Sequence, residues 1–423
     1  MTYAIMCNPR HGRVYLDAAG TMAVNELIFS GGLLSNPAQN IREADIGGVP
    51  YILFEHDGTL TAEDVQRLSR LSFAYALFEL MGGDINKPGA WEEDSAHENM
   101  QNMPIPNEKN NGHENTIFAN ERRCLLAPII KDHGYFIDED ISAILKYSGK
   151  TNELFTRLML NLALAYVKSP VQPAHTLDKK ADRMQPVHAY VPKSSPAQPV
   201  RAIDPKSNQL QPIRILDPMA GKGTTLYEAL MQSCDAYGVE IDPKPAYESF
   251  VYIKKHFEMA RYKHVSHTEK TSGTDLAGKK FTAMRYQVEM ARSKEEQRAG
   301  QSRKFEMIAG DTRHVSAYYK KDFFHAIVAD LPYGVQHSAK KKPQGGGFTR
   351  NALELLREAM PGWVKVLKPG GAVVLAWNLF LIDRDEMAKL FAQHGLAVQE
   401  GLDFSHRLDQ ATHRDLIIGI KAR

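Results

Sequence analysis

Four short apolar runs in the C-terminal half of the chain each lead to a carboxylate, and no other feature restricts the possible folds as tightly. The runs are Ile213 to Asp217, Ala236 to Glu240, Phe305 to Ala309 with Gly310-Asp311-Thr312 behind it, and Phe324 to Asp330. Stretches apolar at successive positions are strands covered on both faces, which is the habit of parallel sheets. The first run passes straight into Pro218-Met219-Ala220-Gly221-Lys222-Gly223-Thr224-Thr225 and a helical stretch through Leu226 and Ala229 to Met231. In a strand, glycine turn and helix of this kind, the backbone can approach a ligand beside a helix N-terminus. A purely structural turn has the same outline. The Walker spacing fails because Lys222 precedes Gly223, and the dinucleotide fingerprint fails because Leu226 stands where its third glycine belongs.

The later acids narrow the reading. Glu240 lies 23 residues after Asp217, where a carboxylate can accept hydrogen bonds from both hydroxyls of a ribose. Asp242 is placed to cap the helix that follows. Asp311 can receive an adenine amino group, with Thr312 beside it. Together with Pro218, Ala220, Gly221, Gly223, Thr224 and Ile241, these residues outline an adenosine-shaped site at the C-terminal edge of a parallel sheet. The fourth run ends in Asp330-Leu331-Pro332-Tyr333-Gly334.

That last segment resembles the signature of the class I S-adenosylmethionine-dependent amino-methyltransferases: Asp or Asn, any residue or Pro, Pro, then Tyr or Phe. The resemblance continues through Asp217 to Gly223, Gly238-Val239-Glu240-Ile241-Asp242-Pro243 and Leu367-Lys368-Pro369-Gly370-Gly371, and covers roughly Thr151 to Arg423. With Asp first and Gly after the aromatic, the chain is most similar to the RNA methylases that modify guanosine N2 in tRNA and usually carry a THUMP RNA-binding domain. The resemblance implies an α/β fold, with a seven-stranded doubly wound Rossmann-like methyltransferase sheet beside a smaller N-terminal α+β domain. It also implies S-adenosyl-L-methionine as cofactor and tRNA as partner. Donor binding is expected from Asp217, Pro218, Ala220, Gly221, Gly223, Thr224, Glu240, Ile241, Asp311 and Thr312. Catalysis is expected from Asp330, Leu331, Pro332 and Tyr333. The Asp330 carboxylate and the Leu331 carbonyl can accept the hydrogens of a target amine, Pro332 stiffens the turn, and Tyr333 offers a face on which an extruded base stacks. A DNA adenine-N6 methyltransferase and a non-catalytic RNA-binding protein with this fold stay open as alternatives.

The remainder of the chain bears on organisation. At 423 residues and 43% hydrophobic it can build two or three ordinary cores. No apolar run is long enough for a membrane helix, and the first residues lack a secretory pattern, so a cytoplasmic protein is expected. The three cysteines lie far apart and the sixteen histidines lack ligand spacing, so no metal site is expected. Net charge is only +2, but residues 254–304 hold 13 Lys or Arg against 6 Asp or Glu, a surplus of +7. This segment suits either a phosphate-binding flank or a solvated helical insertion. Residues 1–146 form an expected substrate-recognition region and 147–423 the methyltransferase domain. Within them, 82–115 is a polar loop and 168–212, holding eight prolines, an extended crossing. Toward the N-terminus, Thr2 to Cys7, Val14 to Leu16 and Tyr51 to Glu55 are expected strands, and Met22 to Ser30 a short helix. A second helix is capped by Thr61 and carries Val65, Leu68, Leu71, Tyr75 and Phe78 on one face. A strongly apolar helix covers Thr151 to Val167. The preceding Gly149-Lys150-Thr151 only mimics the end of a phosphate loop, because Ile144 stands where the upstream glycine belongs.

Overall fold

The computed structural model describes residues 1–8, 13–81, 125–137, 140–144, 150–168, 211–274, 278, 280–332, 352–401 and 403–423. The polar stretch 82–115, nearly all of 168–212, Tyr333 and residues 334–351 lie outside the described residues.

The N-terminal part contains β1 (Thr2–Cys7), α1 (Arg13–Gly31), β2 (Gln39–Ile46), β3 (Val49–Glu55), α2 (Ala62–Ser69), β4 (Ala74–Met81) and β5 (Leu125–Ile129). The strands form an antiparallel sheet in the order β2-β3-β1-β4-β5. Alternation along β1 sends Tyr3 and Ile5 toward Leu27 of α1 and Leu68 of α2, while Ala4 faces Tyr51 and Leu53 on the other side. Thr61 and Asp64 close a reciprocal capping box at the start of α2. Two expectations fail here. Val14 to Leu16 belong to α1, since a three-residue apolar run carries no period that separates strand from helix. The apolar period from Val65 to Phe78 spans two elements: α2 stops at Ser69, and β4 takes up Tyr75 and Phe78 because β1 and β5 bond it on both sides.

Next come α3 (Asp140–Ile144), α4 (Glu153–Lys168), β6 (Arg214–Asp217), α5 (Thr224–Met231), β7 (Asp235–Glu240), α6 (Pro243–Met259), β8 (Lys263–Thr274), β9 (Lys280–Ala291), α7 (Lys294–Arg298) and β10 (Arg303–Ala309). The chain closes with α8 (Val315–Tyr318), β11 (Phe324–Asp330), α9 (Ala352–Val366), β12 (Leu367–Asn378), α10 (Arg384–Gln393), β13 (Leu396–Val398), β14 (His406–Arg407) and β15 (His413–Lys421). The large sheet runs β13-β15-β12-β11-β6-β7-β10-β9-β8, with β14 on β15 as the tenth strand. Strands β12, β11, β6, β7 and β10 are parallel, and β15 runs against β12. The seven expected strands are its body, with β13 at Leu396–Val398 as the outermost on that side. The basic segment is a different object from the helical insertion considered above: most of it is the long β8–β9 hairpin, which extends the sheet past β10.

Side-chain alternation gives this sheet two covered faces. Ile215, Ala326, Val328 and Val374 pack with α4, α5 and α6, while Leu216, Ile327, Ala329, Val373 and Leu375 pack with α8, α9 and α10. Helix α4 is apolar on every side, and Phe155 through Tyr166 are all buried. Its few polar groups are consequently paired. Arg157 bonds the fully buried Glu228 of α5 at 3.0 Å. Asn161 donates to Glu26 of α1 at 2.6 Å and to the Arg70 carbonyl at 2.9 Å, and accepts from Gln232 at 2.9 Å. Burial pushes the Glu26 carboxyl above its usual range, against the bonds from Ser72 and Asn161.

Asn161 therefore bonds groups on both sheets. Asn161→Ala leaves several buried polar groups short of a partner, at about 1–3 kcal/mol for each group wholly deprived of one. The expected loss of stability is about 2–4 kcal/mol, read as a lower urea midpoint. An unchanged midpoint would show that these bonds contribute no net stability.

Candidate active site

The turn after β6 is built to pass close to β7. Ala220 donates its N–H to the Val239 carbonyl at 2.9 Å, and the Gly221 N–H donates to Glu240 Oε2 at 2.9 Å. Gly223 stands in the left-handed region at φ 89° as the N-cap of α5, and a Cβ there would lie 2.7 Å from Ser249 Oγ. Gly238 lets β7 run under the turn, since a Cβ would fall 2.8 Å from that of Ala220. Glu240 Oε1 accepts the Asp242 N–H at 2.9 Å, while Asp242 caps α6 through the Lys244 N–H as expected.

Asp217 ends β6 with its side chain buried, bonded by Thr225 and, at 3.0 Å, by the Met219 N–H. Burial is the chief cause that pushes its carboxyl up to about 7, and the nearby charges of Asp330 and Glu240 add to it. Glu240 is also raised, first by burial, with the N–H groups of Asp242 and Gly221 pulling the other way. Three acids thus converge at the ends of β6, β7 and β11.

Asp330 is held by side chains from outside the three strand ends. Thr151 Oγ1 donates to Asp330 Oδ2 at 2.6 Å, and the Arg414 guanidinium lies 3.5 Å from the same oxygen. Arg414 comes from β15, is buried, and sits over the Phe155 ring at 4.4 Å. Thr151 immediately precedes Asn152, whose side chain caps α4 by accepting from Leu154 and Phe155. The turn continues with the Leu331 N–H on the Ala376 carbonyl at 2.9 Å; Leu331 is buried and Pro332 is exposed.

The Asp311 corner is arranged differently. The Gly310 N–H donates to the Glu240 carbonyl at 2.9 Å, so this segment does adjoin β7. The Asp311 carboxylate is engaged by its own neighbour, accepting from the Arg313 backbone at 2.9 Å and from its guanidinium at 2.9 and 3.0 Å. Burial would raise the Asp311 carboxyl, but these bonds hold it below its usual range. The Thr312 hydroxyl accepts from Trp363 Nε1 at 2.9 Å, tying it to α9. Both side chains are thus committed to the protein's own groups. The sequence reading missed Thr151, Arg414, Phe155 and Thr225. No pattern could have joined Thr151 or Arg414 to Asp330, because the contacts span 179 residues in one case and two sheet strands in the other. Among the described residues no group of three His, Cys, Asp or Glu side chains is placed to hold a metal ion, and no helix is long and apolar enough to cross a membrane.

Residues 201–376 match the family described as UPF0020, RMKL-like, methyltransferase domain. No curated protein matches the sequence. Among solved structures, an rRNA methylase from Streptococcus thermophilus is similar at 11% identity and a TM-score of 0.27, over 50% of this chain and 88% of that one. A methyltransferase from Streptococcus mutans in complex with SAH gives 12% and 0.28, over 49% and 88%. TYW2 of P. horikoshii in complex with MeSAdo gives 13% and 0.28, over 50% and 58%. The chain spans 63% and 58% of the length of two further matched structures. Likenesses this distant carry no inference about activity. Residues 201–376, which carry β6 to β11, most of β12 and the acid-lined edge, are similar to the methyltransferase domain of the RMKL-like family.

Proposed function

We propose that this protein transfers a methyl group from S-adenosylmethionine to the exocyclic amine of a nucleic-acid base, specifically N2 of guanosine in tRNA. The observation that carries the reading is Asp330, held in one orientation by Thr151 and Arg414 at the edge where Asp217 and Glu240 also end. The residues suit the donor. Beside Gly221 the structure is open where a Cβ would stand, the Glu240 carboxylate lies against that turn, and the surrounding acids favour a cation. Bound S-adenosylmethionine supplies an electrophilic methyl group on a sulfonium.

The protein's task is then to hold an amine in line with that group. A carboxylate has about four lone-pair sites, and Thr151 and Arg414 both approach Asp330 at Oδ2. Thr151 and Arg414 are positioning residues that fix its plane. The Leu331 carbonyl is the second acceptor, and Tyr333 the stacking face for the base. Guanine favours an aspartate here because its N1–H and amine present adjacent donors. Residues 1–146 serve substrate recognition. The deciding experiment is nucleoside mass spectrometry on RNA and DNA from cells with and without the gene. Loss of N2-methylguanosine is expected; loss of N6-methyladenine from DNA alone would overturn the choice of base.

Glu240→Ala should weaken donor binding by about 2–4 kcal/mol through loss of two charge-assisted bonds, or roughly 30- to 700-fold in Kd. Glu240→Gln should lose less. Equal affinity by calorimetry in the wild type and both variants would remove Glu240 from the ribose.

Asp330→Ala is expected to abolish transfer while donor affinity stays close to that of the wild type. Thr151→Val should lower kcat about tenfold or more by loosening that carboxylate, and Thr151→Ser should recover most of the loss. A Thr151→Val enzyme with normal kcat would show that Asp330 needs no such anchor.

A pH dependence follows from Asp217, whose ordinary value of 3.8 rises to about 7 on folding. The stability tied to that raised value is complete below the ordinary value and is lost as pH climbs through about 7. Ionisation over the same window creates negative charge for a cationic ligand. Donor affinity should therefore rise between about pH 6 and pH 8, S-adenosylhomocysteine should show a smaller rise, and Asp217→Asn should flatten both. An unaltered pH profile in Asp217→Asn would exclude Asp217 as the titrating group.

A further inference from the structure

The β8–β9 hairpin is longer than the sheet requires. Its last pair with β10 is Met284 with Ala309, and Ala309 in turn pairs with Glu240 at the acid-lined edge. Residues 280–283 of β9 therefore overhang that edge by about 13 Å at 3.3 Å per residue, and the end of β8 rises with them. The overhang is braced from one side: Phe281 stacks on His314 at 4.5 Å and meets Tyr318 edge-on at 5.3 Å.

Among the described residues the other side has no such cover. The register pairs Lys270 with Met284, Ser272 with Thr282, and Thr274 with Lys280. Directly opposed residues share a face, so these positions form one strip. Lys270, Ser272, Thr274, Lys280 and Thr282 are all exposed. No carboxylate occurs among the strip positions; Glu269 points to the opposite face, 3.5 Å from Arg285. At the foot of the strip Tyr286 packs 5.7 Å from Tyr247 of α6, a residue 53% exposed.

We propose that this strip is a docking surface for the sugar-phosphate backbone of the RNA substrate, with Tyr247 as a stacking platform for one unpaired base. It deepens the nucleic-acid reading above and rests on it. Two lysines interleaved with three hydroxyls match a run of phosphates and sugars by charge and by hydrogen bonding, and an exposed aromatic beside a basic track suits single-stranded nucleic acid. Its position above the catalytic edge places a strand held there beside the base to be modified.

The test measures binding of labelled bulk tRNA, and of a single-stranded DNA oligonucleotide, as a function of salt for the full chain. K270A/K280A should flatten the dependence of log K on log salt by about 1.4, from roughly 0.7 per phosphate contact on a single strand. Tyr247→Ala should weaken binding about 5- to 100-fold with little change of slope. Donor affinity should be unchanged in every variant, which separates loss of docking from loss of fold. A wild-type slope on both probes in K270A/K280A overturns the proposal whatever base is methylated. A shift in oligomeric state in that variant, with the slope unaltered, would assign the strip to a protein contact and also overturn it. If methylation proves to be on DNA alone, the choice of base fails, and the slope on the DNA probe still judges the strip as a backbone contact.

Discussion

The structure depends on the burial of helix α4 from Phe155 to Tyr166. A helix apolar all round has to be enclosed, and the elements that enclose this one are those the candidate site needs in register. Its N-terminal flank supplies Thr151 to Asp330, its first turn supplies Phe155 beneath Arg414, its middle holds Glu228 of α5 through Arg157, and Asn161 reaches α1 of the other sheet. Each polar group on α4 is costly to bury alone, so each fixes the neighbour that pairs it. The helix that links the elements of the two sheets is therefore also flanked by the groups that orient the proposed catalytic carboxylate.

Electrostatics sets a second constraint. Burial, and then the charges of Asp330 and Glu240, disfavour the ionisation of Asp217, and Thr225 and the Met219 N–H offset part of this. A cationic ligand relieves such crowding. Acids gathered at the C-terminal ends of parallel strands, beside a glycine turn that allows close approach, are the features on which the proposed donor site rests.

The sheet departs from a plain doubly wound body at one edge. Where β10 would otherwise be exposed, an antiparallel hairpin covers it, and the new outer strand β8 is polar and charged, as exposed edges usually are. Because the hairpin is antiparallel to β10, its closing end falls on the ligand side of the sheet. A basic surplus spread through residues 254–304 in the chain is thereby partly delivered to the rim of the candidate site.

Much of the C-terminal architecture was legible because local rules sufficed. The strands at Asp217, Glu240, Asp311 and Asp330 are apolar at consecutive positions, and their turns require glycine, proline or a capping acid where those residues stand. Strand β4 was not legible, because its apolar spacing also fits a helix and only pairing with β1 and β5 decides the matter. The hairpin was hidden for a related reason: a polar edge strand lacks the two-residue hydrophobic alternation that marks a half-buried one. The anchors of Asp330 were beyond any local signal. By itself the sequence determined the kind of fold and which acids end its strands at the edge of the candidate site, since these follow from residue type at short range. Tertiary structure alone decided which side chains hold Asp330, that Asp311 turns to Arg313, and where the basic hairpin ends, because those contacts join segments far apart in the chain and form only when burial forces each polar group to find a partner.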